Sequence, residues 1–548
     1  MTAFLIGMAV LYLLAGLDDL FMDLLYWCRP MQRWLSGDIR KIEVQEEELR
    51  ACPEQWIAIL VPAWDESAVI ARMLATNCQR LEYGKYDIFV GTYPNDEATQ
   101  FEVAKAAYDH PRVHKVVCPN PGPTSKADCL NWVVEAIRVY EKQHGRRYEI
   151  FVMQDSEDVV HPLALKLFNF LMPEYDMVQI PVVPFERPLS KLTSGVYLDE
   201  FAEFHQKNLY SRQAICGMVP SAGVGTAFGR DACDELADKS SNMLFRTNSL
   251  TEDYDFAFRL CEEGRKSCVA NVQLETAASK ANRKQNPGKK PQTELISTRE
   301  YFPSRFRDAV RQRTRWTLGI VFQGWQHLGW RGTAAETKLS PARRIRIAYT
   351  LFRDRKGLLS GYMNMLAYAL LAVLLGVTAV DLAAGNPWNA HWPAAVFHSR
   401  MFFWLVAGNL AMMTNRAAQR AISVLKVSTW QQALISPVRM LWATGMDLCS
   451  TVQSTRRYVR SRMTGEPLKW AKTAHEFPSE DVLRSQHRKL GELLLEKRLI
   501  SPEQLASALE EHKREGVKLG QLLLQMMVIT GEQLQMTLQE QCAASAQH

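Results

Sequence analysis

The chain has 548 residues, which exceeds the length of one ordinary domain, so we expect two or three folded units. The net charge of +6 is modest and basic residues concentrate beside apolar stretches, which favours a membrane surface and argues against a nucleic-acid partner. The eleven cysteines are scattered without a C-x-x-C pair, which indicates buried thiols in a reducing compartment and argues against disulfides or a zinc site.

The first 30 residues contain an apolar run from residue 3 to residue 27. The run lacks a basic start and a small-residue cleavage site, which predicts a retained membrane anchor and not a signal peptide. Arg29 and Arg33 follow it, so the positive-inside rule places the next part of the chain in the cytoplasm.

A second group of apolar stretches lies within residues 350–455. Residues 359–380 and 394–413 each have the length of a membrane-spanning helix and predict a hairpin. Residues 430–448 are interrupted by Pro437 and carry charges, which predicts a helix lying at the membrane interface. Such an arrangement keeps the soluble parts on both sides of the hairpin in the cytoplasm.

Between these groups, short runs rich in β-branched residues alternate with segments of helical periodicity. The pattern predicts strands at residues 56–61, 88–91, 113–118 and 150–154, and helices near residues 67–76 and 99–109. The alternation is typical of an α/β fold with a mainly parallel sheet, which we assign to residues 50–340. Ligands of such folds bind at the carboxyl ends of the strands, so functional residues should follow the strands directly.

Acidic residues follow the first two predicted strands. The first strand leads into P-A-W-D-E, which contains Pro62, Asp65 and Glu66, and a turn ending at Asp96 follows the second. Carboxylates at these positions can accept hydrogen bonds from the N–H and hydroxyl groups of a base and ribose. Each could equally be a turn residue or a helix cap.

The fourth predicted strand leads into D-S-E-D, where Asp155 and Glu157 occupy alternate positions of an extended segment and so point the same way. Such a pair suits one divalent cation, Mg²⁺ or Mn²⁺, with diphosphate and water as further ligands. Lys126, in T-S-K-A-D, can offset phosphate charge. An acidic turn without metal and a surface lysine are the alternatives.

Two acids begin the helix that follows Thr251. In T-E-D-Y-D, Asp253, with Glu252 beside it, is a candidate general base for an acceptor hydroxyl. Ordinary capping of a helix N-terminus is the alternative. Upstream, Gly225 and Thr226 belong to a turn of small residues that a ligand can approach closely.

The basic segment before residue 350 contains Q-R-T-R-W. Arg315 of this motif can pair with a diphosphate, and Trp316 can stack on a sugar or acceptor, with Gln312 and Arg313 beside them. A plain juxtamembrane helix also contains arginine and tryptophan, so the motif alone does not decide between the two.

These motifs occur together and in one order: P-A-W-D-E, a second acidic strand end, S-K-A-D-x-L-N, D-S-E-D, G-V-G-T-A-F, T-E-D and Q-R-T-R-W. The ordered set resembles the processive family 2 glycosyltransferases, such as cellulose and hyaluronan synthases. More narrowly, G-L-D-D-L-F, P-S-A-G-V-G-T and G-I-V-F-Q-G resemble the bacteriophage adsorption protein B family. The resemblance implies a Rossmann-like GT-A fold that takes a nucleotide-diphospho-sugar. It also implies nucleotide contacts at Asp65 and Asp96, metal and diphosphate at Asp155 and Glu157, a catalytic base at Asp253, and closure over substrate and acceptor by Gln312, Arg315 and Trp316.

Residues 478–545 form a tandem repeat. The L-G pair at Leu490 recurs at Leu519, and each copy predicts a short helix, a turn beginning at Ser501 or Thr530, and a longer amphipathic helix. A small helical packing module would show the same periodicity.

The repeat also resembles the all-α MshEN domain, which implies binding of cyclic di-GMP. In that resemblance Arg488 faces a guanine or phosphate, the Leu-Gly turns let the backbone approach, and leucines line the purines. The implied contacts are Arg488, Leu490, Gly491, Leu494, Leu505, Leu509, Leu519, Gly520, Leu523, Leu534 and Leu538.

The resemblances together imply a multi-pass inner-membrane glycosyltransferase that cyclic di-GMP activates. It would transfer a sugar, expected to be an N-acetylhexosamine, from a UDP-sugar to a growing polysaccharide, with inversion at the anomeric carbon. Membrane lipids, an outer-membrane export or receptor partner involved in phage adsorption, and a second copy of the chain are the expected partners. The alternatives are transfer of one sugar to a lipid carrier, a non-catalytic scaffold or phage-receptor component, and a secretion adaptor.

Overall fold

The computed structural model describes residues 2–28, 30–31, 42–240, 242–275, 293–330, 340–385, 399–468, 472–473, 475–484, 490–497, 499–515, 517 and 519–543. The strands are β1 Ile57–Pro62, β2 Tyr86–Thr92, β3 Val113–Val117, β4 Ile150–Met153, β5 Val159–Val160, β6 Met177–Gln179, β7 Val182–Pro184, β8 Thr226–Gly229, β9 Ser267–Val269, β10 Gln273–Glu275, β11 Thr293–Leu295 and β12 Thr298–Glu300.

The helices are α1 Thr2–Trp27, α2 Glu46–Ala51, α3 Ile70–Arg80, α4 Glu97–Asp109, α5 Lys126–His144, α6 Ala164–Leu171, α7 Leu192–Glu203, α8 Leu209–Cys216, α9 Arg230–Asp238, α10 Glu252–Glu262, α11 Phe306–Trp316, α12 Gly324–Leu328, α13 Pro341–Ala383, α14 Arg400–Leu425, α15 Trp430–Thr464, α16 Glu480–Arg484, α17 Leu490–Glu496, α18 Pro502–Glu515, α19 Leu519–Gln525 and α20 Gly531–Ala543. Two π-helical segments, Phe204–Asn208 and Thr317–Gln323, continue α7 and α11.

Within the described residues, seven strands form one sheet in the order β3-β2-β1-β4-β8-β6-β9. The four predicted strands are present and pair in parallel. The prediction of a mainly parallel sheet is confirmed, since β6 and β9 also pair in parallel. The exception is β8, which runs antiparallel to both β4 and β6 and makes the sheet mixed. β8 has only four residues directly after a glycine-rich turn, which is too short to give a strand period, so the sequence analysis assigned it to that turn.

The sheet is covered on both faces, which explains why its central strands are continuous apolar runs. Successive side chains of β1 alternate between the faces. Ile57, Ile59 and Val61 pack in one buried cluster, and Ala58 and Leu60 pack in the cluster on the opposite face. The carboxyl ends of β1, β2 and β4 therefore meet along one edge, where the predicted acidic residues begin.

Among the described residues, two helices are long and apolar enough to cross a membrane: Ala3–Trp27 in α1, and Pro341–Val380 in α13. The predicted second arm of the hairpin falls mostly in α14, which does not meet that criterion, and most of the intervening loop lies outside the described residues. The predicted interfacial stretch continues into a longer helix, α15, which retains Pro437 in its interior.

α15 is attached to the α/β domain by a buried ion pair. The Arg439 guanidinium donates two hydrogen bonds to the Asp199 carboxylate of α7, at 2.8 and 2.7 Å, and both side chains are only 1% exposed. A Cβ atom at Gly195 would lie within 2.3 Å of Arg439, so this glycine leaves the room that the guanidinium occupies. The helix therefore packs on the α/β domain as well as beside the apolar helices.

The C-terminal helices form two similar halves. Each half consists of a short helix and a longer one, as the repeat predicts. Ser501 and Gln504 form a reciprocal capping box at the start of α18, with bonds of 2.7 and 3.2 Å, and Thr530 and Gln533 form the equivalent box at α20. The short helix of each half packs against the long helix of the other, which closes one shared core.

Candidate active site

A cavity of about 500 Å³ lies at the carboxyl ends of the strands and extends towards α7, α11 and α14. Most of the predicted site residues line it together. They are Pro62, Glu66, Lys126, Asp155, Glu157, Glu252, Asp253, Gln312, Arg315 and Trp316.

Lys126 is the cation at the centre of the acidic group. Its Nζ lies 2.5 Å from Asp155 Oδ1 and 3.8 Å from Glu252 Oε1, so it links the end of β4 to the start of α10. Although burial lowers the pKa of this lysine, the carboxylates of Asp155 and Glu252 raise it overall, which keeps the ammonium charged. Burial, with the charge of Asp253, raises the pKa of Glu252 to about 7.

Asp253 lies at the floor of the cavity beside a turn of small residues. A Cβ atom at Gly223, which has a φ of +79°, would lie 2.8 Å from Asp253 Oδ2, so glycine is required both for the backbone conformation and for this approach. Burial raises the pKa of Asp253, which makes its carboxylate a stronger base than an exposed aspartate.

A π-helical segment holds the loop that leads to Asp253. The Gln323 side chain donates to Asn248 O at 2.9 Å and accepts from Leu250 N at 2.8 Å. Gly319 of the same segment lies against Thr251, because a Cβ atom at that glycine would come within 2.5 Å of Thr251 Oγ1. The segment after Q-R-T-R-W therefore fixes T-E-D, a connection that the sequence analysis did not predict.

Residues between α15 and the C-terminal helices also reach the cavity. His475 Nδ1 lies 2.9 Å from Glu66 Oε1 and 3.1 Å from Glu157 Oε2, and Lys472 Nζ lies 3.4 Å from Glu66 Oε1. Burial lowers the pKa of His475, but Glu157 and Glu66 raise it to about 9 overall, so the imidazolium is charged at neutral pH. Burial, together with Asp155 and Glu66, raises the pKa of Glu157 to about 7 despite the neighbouring histidine. We name residues 472–473 and 475–478 the linker segment.

The linker segment is also attached outside the cavity. Arg187 forms an ion pair of 2.5 Å with Glu476. Arg72 donates to Pro478 O at 2.8 Å and lies over the ring of Phe477 at 5.2 Å. The sequence analysis missed this segment because isolated lysine, histidine and phenylalanine residues outside an element give no periodic signal.

The Q-R-T-R-W residues divide between two surfaces. Trp316 lines the cavity and packs edge-on against Tyr197 at 6.0 Å. Arg313, which we predicted to bind substrate, instead forms ion pairs with Glu200 at 2.5 Å and with Asp447 of α15. On a helix, residue 313 faces differently from residues 312, 315 and 316, and this orientation makes Arg313 a structural link.

Residues 53–319 match the family model described as glycosyltransferase like family 2. Over these residues the chain belongs to that family. Across 506 residues it is 38% identical to bacteriophage adsorption protein B of Escherichia coli strain K12, and equally to bacteriophage N4 adsorption protein B of Escherichia coli O157:H7. The match covers 92% of this chain and 66% of each relative, so the chain spans slightly less than two thirds of their length.

Among solved structures, the chain is similar to a mannosyltransferase of Pyrobaculum calidifontis that was determined with GDP-Man and Mn²⁺. The TM-score is 0.44 at 16% sequence identity, over 75% of this chain and 99% of the other. A glucosyl-3-phosphoglycerate synthase of Mycobacterium tuberculosis also matches, with a TM-score of 0.22 at 15% identity over 34% of this chain and 60% of the other.

In this glycosyltransferase domain, Asp96 does not line the cavity. Its Oδ2 accepts from Asp65 N at 2.5 Å, and its Oδ1 accepts from Thr99 N at 3.2 Å as the cap of α4. Asp96 is therefore the N-terminal cap of α4, which is the alternative interpretation given for this residue. Asp65 has a φ of 54° and an exposed side chain, and its Oδ2 lies 3.3 Å from Lys472 Nζ.

Gly225 and Thr226 of the glycosyltransferase domain lie beneath the cavity wall. The Thr226 hydroxyl bonds to Gln179 Oε1 at 2.7 Å, and Gly225 N donates to Gln154 Oε1 at 3.3 Å. Both residues connect strand ends inside the fold, where Thr226 is fully buried. Neither residue lines the cavity, and both support the turn that holds Gly223, so their contact with substrate stays a prediction.

The deep end of the cavity in the glycosyltransferase domain consists of helices that the motifs did not indicate. Glu203 of α7 is buried and pairs with Arg416 at 2.8 Å and Arg420 at 2.6 Å, both from α14. His205, in the first π-helical segment, lines the cavity beside them. Glu203 and His205 are more than 200 residues from Arg416 and Arg420 in the chain, so no local spacing could have grouped the two pairs.

The C-terminal repeat places most of its implied contacts in a core. Leu494 and Leu523 are fully buried, and Leu505 and Leu534 are nearly so. A Cβ atom at Gly491 would lie 2.7 Å from Leu505 Cδ1, and the equivalent Gly520 approaches Leu534 in the same way. The glycines thus serve helix packing in this structure, as the alternative of a packing module predicts. Arg488 lies outside the described residues, Leu509 is 39% exposed, and Leu538 belongs to α20.

Proposed function

We propose that the chain is an inner-membrane glycosyltransferase, regulated by cyclic di-GMP, that transfers a sugar from a UDP-sugar to a growing polysaccharide. The sugar that we propose is an N-acetylhexosamine. The observation that carries the proposal is the union in one cavity of Lys126, Asp155, Glu157 and Asp253, which come from three separate parts of the family 2 domain.

These residues supply the groups that inverting transfer requires. Asp253 takes the proton of the acceptor hydroxyl as that oxygen attacks the anomeric carbon, and burial strengthens it as a base. Lys126 and Arg315 stabilise the negative charge that develops on the departing diphosphate. Trp316 provides an aromatic face for the acceptor sugar on the side of the cavity opposite the strands.

The acidic residues at the end of β4 fit a divalent cation. Asp155 and Glu157 offer hard oxygen ligands. Burial, and after it the neighbouring carboxylates, raises the pKa of Glu157 and of Glu300, so a cation at this place would offset the clustered carboxylate charge. In the described residues, no three His, Cys, Asp or Glu side chains form a complete metal site, so diphosphate oxygens would supply the remaining ligands. A bound Mg²⁺ or Mn²⁺ would neutralise diphosphate charge there.

The linker segment supports regulation by the C-terminal module. Lys472 and His475 contact Asp65, Glu66 and Glu157, which we assign to donor and cation binding. The donor and the linker segment thus compete for the same carboxylates. Cyclic di-GMP bound to the repeat that follows would favour the state in which the linker segment leaves the cavity.

The two apolar helices support attachment to the inner membrane, with the glycosyltransferase domain and the C-terminal module in the cytoplasm. Similarity to the adsorption proteins supports a role in phage adsorption, together with an outer-membrane partner and a possible second copy of the chain. Membrane lipids would surround α1 and α13.

The test uses the purified full-length chain, labelled UDP-N-acetylhexosamines and Mg²⁺, with and without cyclic di-GMP. We expect labelled polymer, with a rate about 10²–10⁴-fold lower in Asp253→Asn, which keeps the shape but loses the base. His475→Ala combined with Lys472→Ala should raise the rate measured without cyclic di-GMP, with wild-type protein at saturating cyclic di-GMP as the reference.

Other outcomes would identify the alternatives. A product with one sugar on a lipid would indicate transfer to a lipid carrier. Cyclic di-GMP binding without transfer or donor hydrolysis for any donor or metal would indicate a non-catalytic scaffold or receptor component. A C-terminal module that binds proteins and no nucleotide would indicate a secretion adaptor. A transfer rate that depends on Asp253 distinguishes an enzyme from every alternative in which the cavity is inactive.

A further inference from the structure

One histidine in the deep part of the cavity has an unusual environment. His205 is 1% exposed, lines the cavity, and belongs to the π-helical segment Phe204–Asn208. Within the described part of the chain, neither Nδ1 nor Nε2 of its ring has a hydrogen-bond partner. The side chain lines the cavity, although both nitrogens are themselves buried. Buried polar groups are nearly always paired, so two unpaired nitrogens beside a cavity indicate that a bound ligand, towards which the ring turns, supplies a partner.

The surroundings narrow the chemistry of that ligand. Phe201 stacks on the His205 ring with centroids 5.4 Å apart, and Phe204 meets it edge-on at 5.5 Å. Trp316 lies 6.2 Å from the Phe201 ring and lines the same cavity. Aromatic faces combined with a few directed polar groups suit a ring with apolar faces and polar edges.

The protonation state of His205 limits the possible ligands further. Burial lowers the pKa of His205 to about 3, so the imidazole is neutral and carries one donor and one acceptor nitrogen. An anionic phosphate offers only acceptors to such a ring. A sugar hydroxyl both donates and accepts, so one hydroxyl can bond to either nitrogen of the neutral ring.

We propose that His205 is a specificity-determining residue that hydrogen-bonds the hydroxyl groups of the acceptor sugar in the deep end of the cavity. The inference rests on the proposed function, because it names the group that recognises the acceptor of that reaction.

A second histidine provides a matched control. His114 also stacks on a phenylalanine, Phe89, with centroids 4.8 Å apart, but its Nε2 is bonded to Asp87 at 2.9 Å and it lies outside the cavity. His205→Phe and His114→Phe therefore make the same chemical change on similar aromatic faces. The two residues differ in whether the ring already has a partner in the protein.

The experiment uses full-length protein, labelled UDP-N-acetylglucosamine, Mg²⁺ and short N-acetylglucosamine oligomers as the acceptor probe. His205→Phe should raise the acceptor KM about tenfold and shift consumed donor from elongated oligomer to free sugar, with the donor KM unchanged. His205→Asn, which keeps a donor and an acceptor, should recover part of the loss. The melting temperature should be unchanged or higher in His205→Phe, because an unpaired buried polar group is removed. His114→Phe should lower the melting temperature and leave the acceptor KM unchanged.

Two results would overturn the inference. One is a His205→Phe protein that keeps the wild-type acceptor KM, or that melts at a much lower temperature, since the latter would show a structural partner for the ring. The other is wild-type protein that hydrolyses donor but elongates none of the oligomers, which would remove the carbohydrate assignment. Failure of the proposed function is distinct, because it would abolish donor turnover in the wild type.

Discussion

The glycosyltransferase domain and the C-terminal module were both interpreted through short motifs, yet the structure uses the motif residues differently. In the first, motif residues from separate elements meet in one cavity, with Lys126 between Asp155 and Glu252. In the second, motif residues such as Leu494 and Leu523 are buried against each other. Charged motif residues from separate elements thus line one cavity, whereas apolar motif residues on the C-terminal helices form a core.

The largest expected effect tests whether the charged motif residues that line the cavity of the glycosyltransferase domain act in transfer. Lys126→Met should lower the transfer rate by about 10²-fold or more, because the diphosphate loses a charge partner and buried carboxylates lose their cation. Lys126→Arg should retain part of the activity, since it keeps the charge with a different geometry. Initial rates with labelled donor measure the effect. Wild-type rates in Lys126→Met would assign the lysine to structure alone.

A smaller effect is expected on changing pH, because burial raises the pKa of both Glu157 and Glu252 to about 7 from a normal value of 4.5. Below about pH 7 these carboxyls take up protons, so the transfer rate should fall, at most about tenfold per unit for one essential group.

Folding stability should change in the opposite sense over the same range. A raised carboxyl pKa means that the folded state holds its proton more tightly than the unfolded chain does. The stability from these groups is therefore present below pH 4.5 and lost as the pH rises through about 7. The transfer rate and the melting temperature, each measured as a function of pH, check these two predictions. Activity that stays constant well below pH 7 would contradict the assignment of these carboxyls.

The smallest expected effect tests whether the motif residues of the C-terminal module form a packed core. Gly491→Ala should destabilise the C-terminal module by about 1–2 kcal/mol, because the new Cβ would crowd Leu505. This steric cost should exceed the stability that the helix gains from the higher helix propensity of alanine. Gly531→Ala is the matched control, since among the described residues nothing lies within 4 Å of its Cβ, and it should stabilise α20 slightly. Hydrogen exchange of the module in the full chain measures both. Equal protection in the two variants would contradict close packing at Gly491.

The sequence predicted the secondary-structure elements and site residues that depend on local patterns. The strands β1 to β4 and the carboxylates after them follow from alternation and strand-end position, and the helix starts after Ser501 and Thr530 follow from the repeat. The antiparallel β8 and the direction of Arg313 depend on tertiary contacts. His205 and His475 reach the cavity from elements that carry no motif, so only the fold brings them there.

The two π-helical segments have a consequence for how such chains diverge. A π-helical turn contains one more residue than an α-helical turn, and here both segments form walls of the same cavity. Deleting one residue from Phe204–Asn208 would remove the extra residue of the wide turn and change which side chains of this segment line the cavity. Variation in chain length, and not only substitution, is therefore a way in which relatives can acquire differently shaped acceptor sites on an otherwise unchanged sheet.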